Sequence, residues 1–170
     1  MIKPRPPLKI LSVIPGTRYL GIAVFYDTDL RDWRIKEVRE KGIKNKIKKA
    51  KRLFSGFIER YRPQVLAIKK LDPIRSSPHL NKLAREIRGL ARRKGLKVFQ
   101  YRLSEIKAAI APSEKINKRK LAETVVFQYS ELLPDLEKEK KNRNTYYLRE
   151  FEAVALGLVC FFKLDERYNF

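Results

Sequence analysis

The stretch from Ile10 to Phe25, ILSVIPGTRYLGIAVF, constrains this chain more than any other. Two apolar runs rich in β-branched residues are joined by Pro15-Gly16-Thr17-Arg18, which predicts a β-hairpin with a tight turn. Both runs are too uniformly apolar for a sheet with one face in water. The hairpin is therefore expected at the head of a mixed sheet covered on both sides, and the rest of the chain must supply that cover.

The helical periodicities needed for it are present. Over Ile43–Tyr61 the residues Ile43, Ile47, Ala50, Phe54, Phe57, Ile58 and Tyr61 recur at helical spacing, and Arg62-Pro63 ends the run. Gln64–Leu71 predicts a short buried strand. Ser77-Pro78 predicts an N-cap followed by proline at the first helical position, opening a helix that buries Leu80, Leu83, Ala84, Ile87, Leu90 and Ala91 and stops at Gly95. Leu96–Leu103 is the next strand, which makes a βαβ unit with a right-handed crossover. Arg34–Glu40 is expected as an edge strand after the turn-rich Tyr26–Trp33. Ser104 and Ser113 are expected to cap two further helices, the second ending near Glu131. Leu136–Asn144 reads as a charged loop, and Thr145–Lys163 as an apolar helix packed across the sheet.

The 170 residues suit one domain over 10–165, preceded by a basic, proline-rich arm over 1–9 and followed by a tail over 166–170. Forty Lys and Arg against nineteen Asp and Glu leave a net charge of +21, which makes a polyanion, above all nucleic acid, the expected partner. No apolar run is long enough to span a bilayer and no apolar leader opens the chain, so a cytoplasmic protein without membrane attachment is expected. The one cysteine, Cys160, excludes an internal disulfide and reads as a buried structural thiol. On the 43–61 helix, Lys44, Lys46, Lys48, Lys49, Lys51 and Arg52 precede the first acid, Glu59. Without i,i+4 partners their repulsion goes uncompensated unless an anion lies nearby. His79, the lone histidine, reads as a capping or phosphate-contacting residue sooner than a general base. Tyr26, Trp33, Tyr146 and Tyr147 read as packing residues sooner than base-stacking ones.

A strand that ends in Pro15-Gly16-Thr17-Arg18 and returns as Gly21-Ile22-Ala23-Val24 resembles the opening of the RuvC-like Holliday junction resolvases of the RNase H superfamily. The order of elements extends the resemblance over nearly the whole chain. It implies an α/β, RNase H-like fold with a five-stranded mixed sheet and helices on both faces. It further implies hydrolysis by two divalent metals held by an Asp, Glu, Asp, Asp cluster. The residue before Pro-Gly, an aspartate in the family, is Ile14 here. Val65–Lys69, VLAIK, is similar to the fourth strand, whose last residue is a metal-binding glutamate; here it is Lys69. Arg149–Gly157, REFEAVALG, resembles the last helix, whose two acids stand three residues apart; here they are Arg149 and Glu152. Ile106-Lys107 and Pro112-Ser113-Glu114-Lys115 resemble the segment that sets two lysines on the DNA backbone, which implies that role for Lys107 and Lys115, with a shortened link over Ala108–Ala111.

Three of the four ligand positions are thus not acids, and two are cations. Asp27 lies about 20 Å from the site along its strand, and Asp72 about 10 Å beyond Lys69. Glu150 is about 200° around its helix from Glu152, so neither it nor the two aspartates rebuilds the cluster. The expectation is a nucleic-acid-binding protein on a RuvC-like nuclease fold, catalytically inactive, that grips the phosphate backbone of branched DNA or structured RNA. Arg18, Lys69, Lys70, Arg75 and Lys82 are assigned to that contact, together with Lys107, Lys115, Lys118 and Arg119. DNA is favoured over RNA, a homodimer is compatible, and no cofactor is expected. Mg2+ or Mn2+ belongs only to the alternative of an active endonuclease with a rearranged site. A third reading is a structural subunit of a ribonucleoprotein.

Overall fold

In a computed structural model describing residues 5–142 and 147–168, the hairpin lies at the heart of one sheet. Strand β1 (Lys9–Ile14) pairs antiparallel with β2 (Tyr19–Tyr26), and Ile14 faces Gly21 across the register. On one side β2 pairs antiparallel with β3 (Asp29–Glu37). On the other, β1 pairs parallel with β4 (Val65–Lys69), which pairs parallel with β5 (Lys97–Tyr101), giving the order β3-β2-β1-β4-β5. This is the five-stranded mixed sheet expected from the sequence.

Period-two alternation divides the apolar strands between two cores. Leu11, Val13, Ile22, Val24, Leu66 and Ile68 face α1 (Ile43–Tyr61) and α2 (Pro78–Arg93), whose buried stripes include Phe54 and Phe57, and Leu83 and Ile87. Ser77 caps α2 as predicted, its hydroxyl accepting from the Leu80 N–H at 3.1 Å. Ile10, Ile14, Ala23, Phe25, Val65 and Ala67 face the opposite layer. That layer is built from α3 (Leu103–Ile110), α4 (Lys118–Gln128), a 3-10 turn at Ser130–Leu132, α5 (Leu133–Asn142) and α6 (Leu148–Tyr168).

Helix α6 lies directly on the hairpin because its contact positions are small. A Cβ at Gly157 would collide with the Phe25 ring, and one at Gly21 with the Arg149 backbone carbonyl. Ser12, fully buried, donates its hydroxyl to the Ala153 carbonyl at 2.6 Å. Close approach of helix and strand is what sets the first turn of α6 over the end of β1.

Several local expectations are corrected. Strand β3 begins at Asp29, because Asp27 takes the left-handed turn (φ 53°) that Tyr26–Trp33 was expected to spread over a longer loop. Ser104 lies inside α3, where the Glu105 carboxylate accepts from the Arg102 N–H at 3.2 Å, and Asn117, not Ser113, caps α4 through Lys120 N–H at 2.8 Å. Helix α4 ends at Gln128, short of Glu131. The charged run expected as a loop forms α5 up to Asn142, anchored by buried Leu136 and Glu139; residues 143–144 lie outside the described residues. The tail expected from 166 is helical through Tyr168. In the amino-terminal arm, Arg5 reaches Asp165 at 3.3 Å and is thereby held against the protein.

Candidate nucleic-acid interface

The carboxyl-terminal ends of β1, β4 and β5 form one end of the sheet, the place where open α/β sheets present their ligand sites. Ile14 ends β1, fully buried, and joins the core. Lys69 ends β4, half-buried, paired in register with Tyr101. From the opposite layer the first turns of α6 bring Arg149 and Glu152 to the same end. The Arg149 guanidinium donates from Nη1 to the Tyr19 carbonyl at 2.8 Å, in the turn of the hairpin. Gly16 leaves room for it: a Cβ there would collide with Nη1 of Arg149. The intact Pro-Gly turn therefore houses a cation.

Glu152 is 1% exposed, and its Oε1 accepts no hydrogen bond among the described residues. Lys118 Nζ, at the start of α4, lies 3.6 Å from that oxygen. Burial lowers the proton affinity of Lys69. The Glu152 charge opposes that shift, while Lys118, Arg149 and Lys107 reinforce it. Four cationic side chains thus share one neighbourhood with a single buried carboxylate. Glu150, two residues from Glu152, is also buried but points elsewhere. It is hydrogen-bonded to Asp135, which also accepts from Trp33 Nε1 at 3.1 Å. Burial first, and then Asp135, push the Glu150 carboxyl up to about 8.

Beside Lys69 lies a hollow of about 680 Å3, also lined by Lys70, Arg75, Arg102 and the Leu71–Pro73 turn. Arg75 is largely exposed and stands 3.7 Å from Asp72. Asp72 also accepts from the Ile74 N–H, so it caps its own loop and does not turn toward Glu152. Arg102 was not singled out in the sequence. The usable signal was its position immediately after the parallel strand β5, in the same place relative to β5 as Lys70 holds relative to β4.

Of the remaining assigned residues, Arg18, Lys82 and Lys115 are exposed, with Arg18 lying over the Tyr19 ring. Arg119 forms a two-pronged ion pair with Glu139, at 2.8 and 2.9 Å, which holds α4 to α5 and leaves its side chain partly exposed. His79 is exposed on the first turn of α2. Trp33 and Tyr26 make intramolecular contacts, Trp33 to Asp135 and Tyr26 edge-on to Tyr61. Tyr146 lies outside the described residues. Cys160 is buried, its thiol pushed up to about 12, chiefly by burial.

Two divalent metals need several carboxylate oxygens, and the residues here do not fit them. Among the described residues no three His, Cys, Asp or Glu side chains are grouped to hold a metal ion, and the one carboxylate at the sheet end is flanked by cations. Among the same residues no helix is long and apolar enough to cross a membrane.

Neither a protein-family model nor a curated protein matches the chain by sequence. Among solved structures, Thermus thermophilus RuvC in complex with a Holliday junction substrate is similar, with a TM-score of 0.69, 17% identity, and coverage of 95% of this chain and 96% of that one. The fold is RuvC-like. A yeast mitochondrial Holliday junction resolvase aligns at a TM-score of 0.64 with 12% identity, covering 98% of this chain and 84% of that one. The fowlpox virus resolvase bound to Holliday junction DNA aligns at 0.58 with 20% identity, covering 92% and 98%. The RuvC-like fold thus extends over nearly the full chain, with the sheet end just described at the carboxyl ends of its central strands.

Proposed function

We propose that this protein binds nucleic acid through the phosphate backbone at the sheet end and does not cut it. The observation that carries the reading is the gathering of Lys69, Lys107, Lys118 and Arg149 around the single buried carboxylate of Glu152. A metal pair that neutralises phosphate charge has its counterpart here in fixed ammonium and guanidinium groups. These attract a phosphate electrostatically but supply no activated water. Glu152 balances part of the charge, so the cluster remains folded when no anion is bound. Lys70, Arg75 and Arg102 line the adjoining hollow and extend the contact. The similar solved structures include resolvases bound to Holliday junctions, which favours branched DNA as the ligand of this fold. Structured RNA is the second candidate.

Binding of this kind weakens steeply with salt and discriminates little between sequences. Affinity for a four-way junction is expected to fall by a slope of about 0.9 per phosphate contact on a log–log plot against salt. Lys69→Gln combined with Lys70→Gln should reduce that slope by roughly two contacts. An unchanged slope would remove the sheet end from the interface.

A second reading, residual metal-dependent cleavage, draws on Glu152 Oε1, a buried oxygen that accepts no hydrogen bond among the described residues. A crystal soaked in Mn2+ separates the two. Two ions about 4 Å apart beside Glu152 would establish the nuclease. Phosphate or sulfate at Lys69 and Lys118 supports the binding reading.

A further inference from the structure

The sheet end is not the only cationic surface. On the far side of the sheet from α3–α6, the outward rows of α1 and α2 carry Lys44, Lys48 and Arg52, and Lys82, Arg85 and Arg92, all exposed. Lys44, Lys48 and Arg52 stand at i, i+4 and i+8, so each turn repeats the same charge along one row. Like charges at this spacing destabilise a helix roughly as much as opposite charges stabilise it. The two helices contain one acid each, Glu59 and Glu86, and Glu86 is spent on Lys51 at 2.7 Å, which ties α1 to α2. Arg88 is crowded as well: burial, then Arg92 and Arg85, lower its proton affinity.

A second observation lies on the same row. Gly56 follows Arg52 by four residues, and a Cβ added there would meet nothing within 4 Å. An exposed glycine inside a helix is less favourable than alanine, and no neighbour among the described residues requires it. A flat, cationic helix surface with room for close approach is what a phosphate backbone would use. Helix α1 is 19 residues long, about 28 Å, enough to follow roughly eight base pairs.

The two surfaces face different ways. Helices α1 and α2 form the crossovers β3–α1–β4 and β4–α2–β5, so they lie along the sheet face and their outer rows look along the sheet normal. The Lys69 cluster looks along the strands, at the end of the sheet. A duplex with a persistence length of about 150 base pairs does not turn that corner over one small protein without a large bending cost.

Building on the function proposed above, we infer that the outer face of α1 and α2 is a second phosphate-binding surface, and that one copy of the protein holds two double-stranded segments at once. The segments are two separate duplexes or two arms of one branched molecule. In either case the protein tethers them, with one segment at the sheet end and the other along the helices.

The test uses the full chain and two duplexes, one fixed to beads and one fluorescent, with light scattering to give the mass of the free protein. The wild type is expected to capture the fluorescent duplex on the beads. Lys44→Gln/Lys48→Gln/Arg52→Gln/Arg85→Gln replaces exposed, mutually repelling side chains and should keep its thermal stability. Capture is expected to fall about tenfold or more, while affinity for one duplex changes by about threefold or less. Lys70→Gln/Arg75→Gln/Arg102→Gln, on the other surface, should lose capture as well. Full capture by the helix-face variant overturns the inference, as does a wild type that binds one duplex but captures no second. Loss of capture accompanied by a halved mass also overturns it, because bridging would then come from a dimer. Failure to bind any duplex at low salt overturns the function proposed above, and the tethering inference with it.

Discussion

Glu150 and Glu152 stand two residues apart on α6, and both are buried, yet they do opposite things. Glu150 meets another carboxyl group, Asp135, and burial together with that neighbour keeps it protonated up to about pH 8. Glu152 meets Lys118 and the cations around Lys69, so its charge has a use. The difference comes from the helical offset of about 200° alone: one acid faces α5, the other faces the end of the sheet. A buried acid thus marks a functional site only through what surrounds it. By that measure the sheet end differs from the Glu150 site in carrying an excess of positive charge around its acid.

The pair also ranks the ways to test the account. The largest expected effect is on a third buried acid, Glu139, which is fully enclosed and held by Arg119. Arg119→Ala leaves that charge unpaired and should cost about 3 kcal/mol, read as a lowered midpoint in chemical denaturation. A near-neutral result would return Arg119 to the surface as a ligand-binding residue. Next is the pH dependence of Glu150. Its native value of about 8 lies above the ordinary 4.5, so between those values the folded state holds a proton that the unfolded chain has released. Stability should therefore fall as pH rises from about 4.5 through about 8. Glu150→Gln should flatten that fall without altering nucleic-acid affinity. Glu152→Gln should do the reverse. Removing the one negative charge among four cations should tighten phosphate binding about fivefold, roughly 1 kcal/mol, measured by titration at fixed salt. Equal binding effects from the two substitutions would erase the distinction between the sites. The smallest effect is at Gly56→Ala, expected to raise stability by about 0.5–1 kcal/mol because the added methyl meets open space.

How much of this was legible in the sequence depends on the range of the interaction. The hairpin, α1, α2 and the strands between them follow from periodicity and from Ser77, Pro78 and Gly95, all local signals, and the structure agrees with them. That Ile14, Lys69, Arg149 and Glu152 belong to one end of the sheet was equally legible once the Pro-Gly turn and the last helix were matched. The misplaced helix starts came from choosing serines as caps where Glu105 accepts from the N-cap N–H of Arg102 and Asn117 accepts from the first-turn N–H of Lys120. Helix α5 was missed because its sequence, LPDLEKEKKN, is stabilised from outside, by Leu136 in the core and by Arg119 reaching across to Glu139. The same long-range contact explains why Arg119 looked free. Lys118 and Arg119 are neighbours in the chain with identical local signals, and only the third dimension sends one to Glu152 and the other to Glu139. Arg102 needed the sheet order, since its place beside Lys70 exists only when β5 pairs with β4.

The most direct test of the central claim is a cleavage and binding assay on a synthetic four-way junction in Mg2+ and in Mn2+, with wild type and Glu152→Ala side by side. The account predicts salt-sensitive binding by both proteins and no nicking by either. Metal-dependent nicking by the wild type that disappears in Glu152→Ala would contradict it.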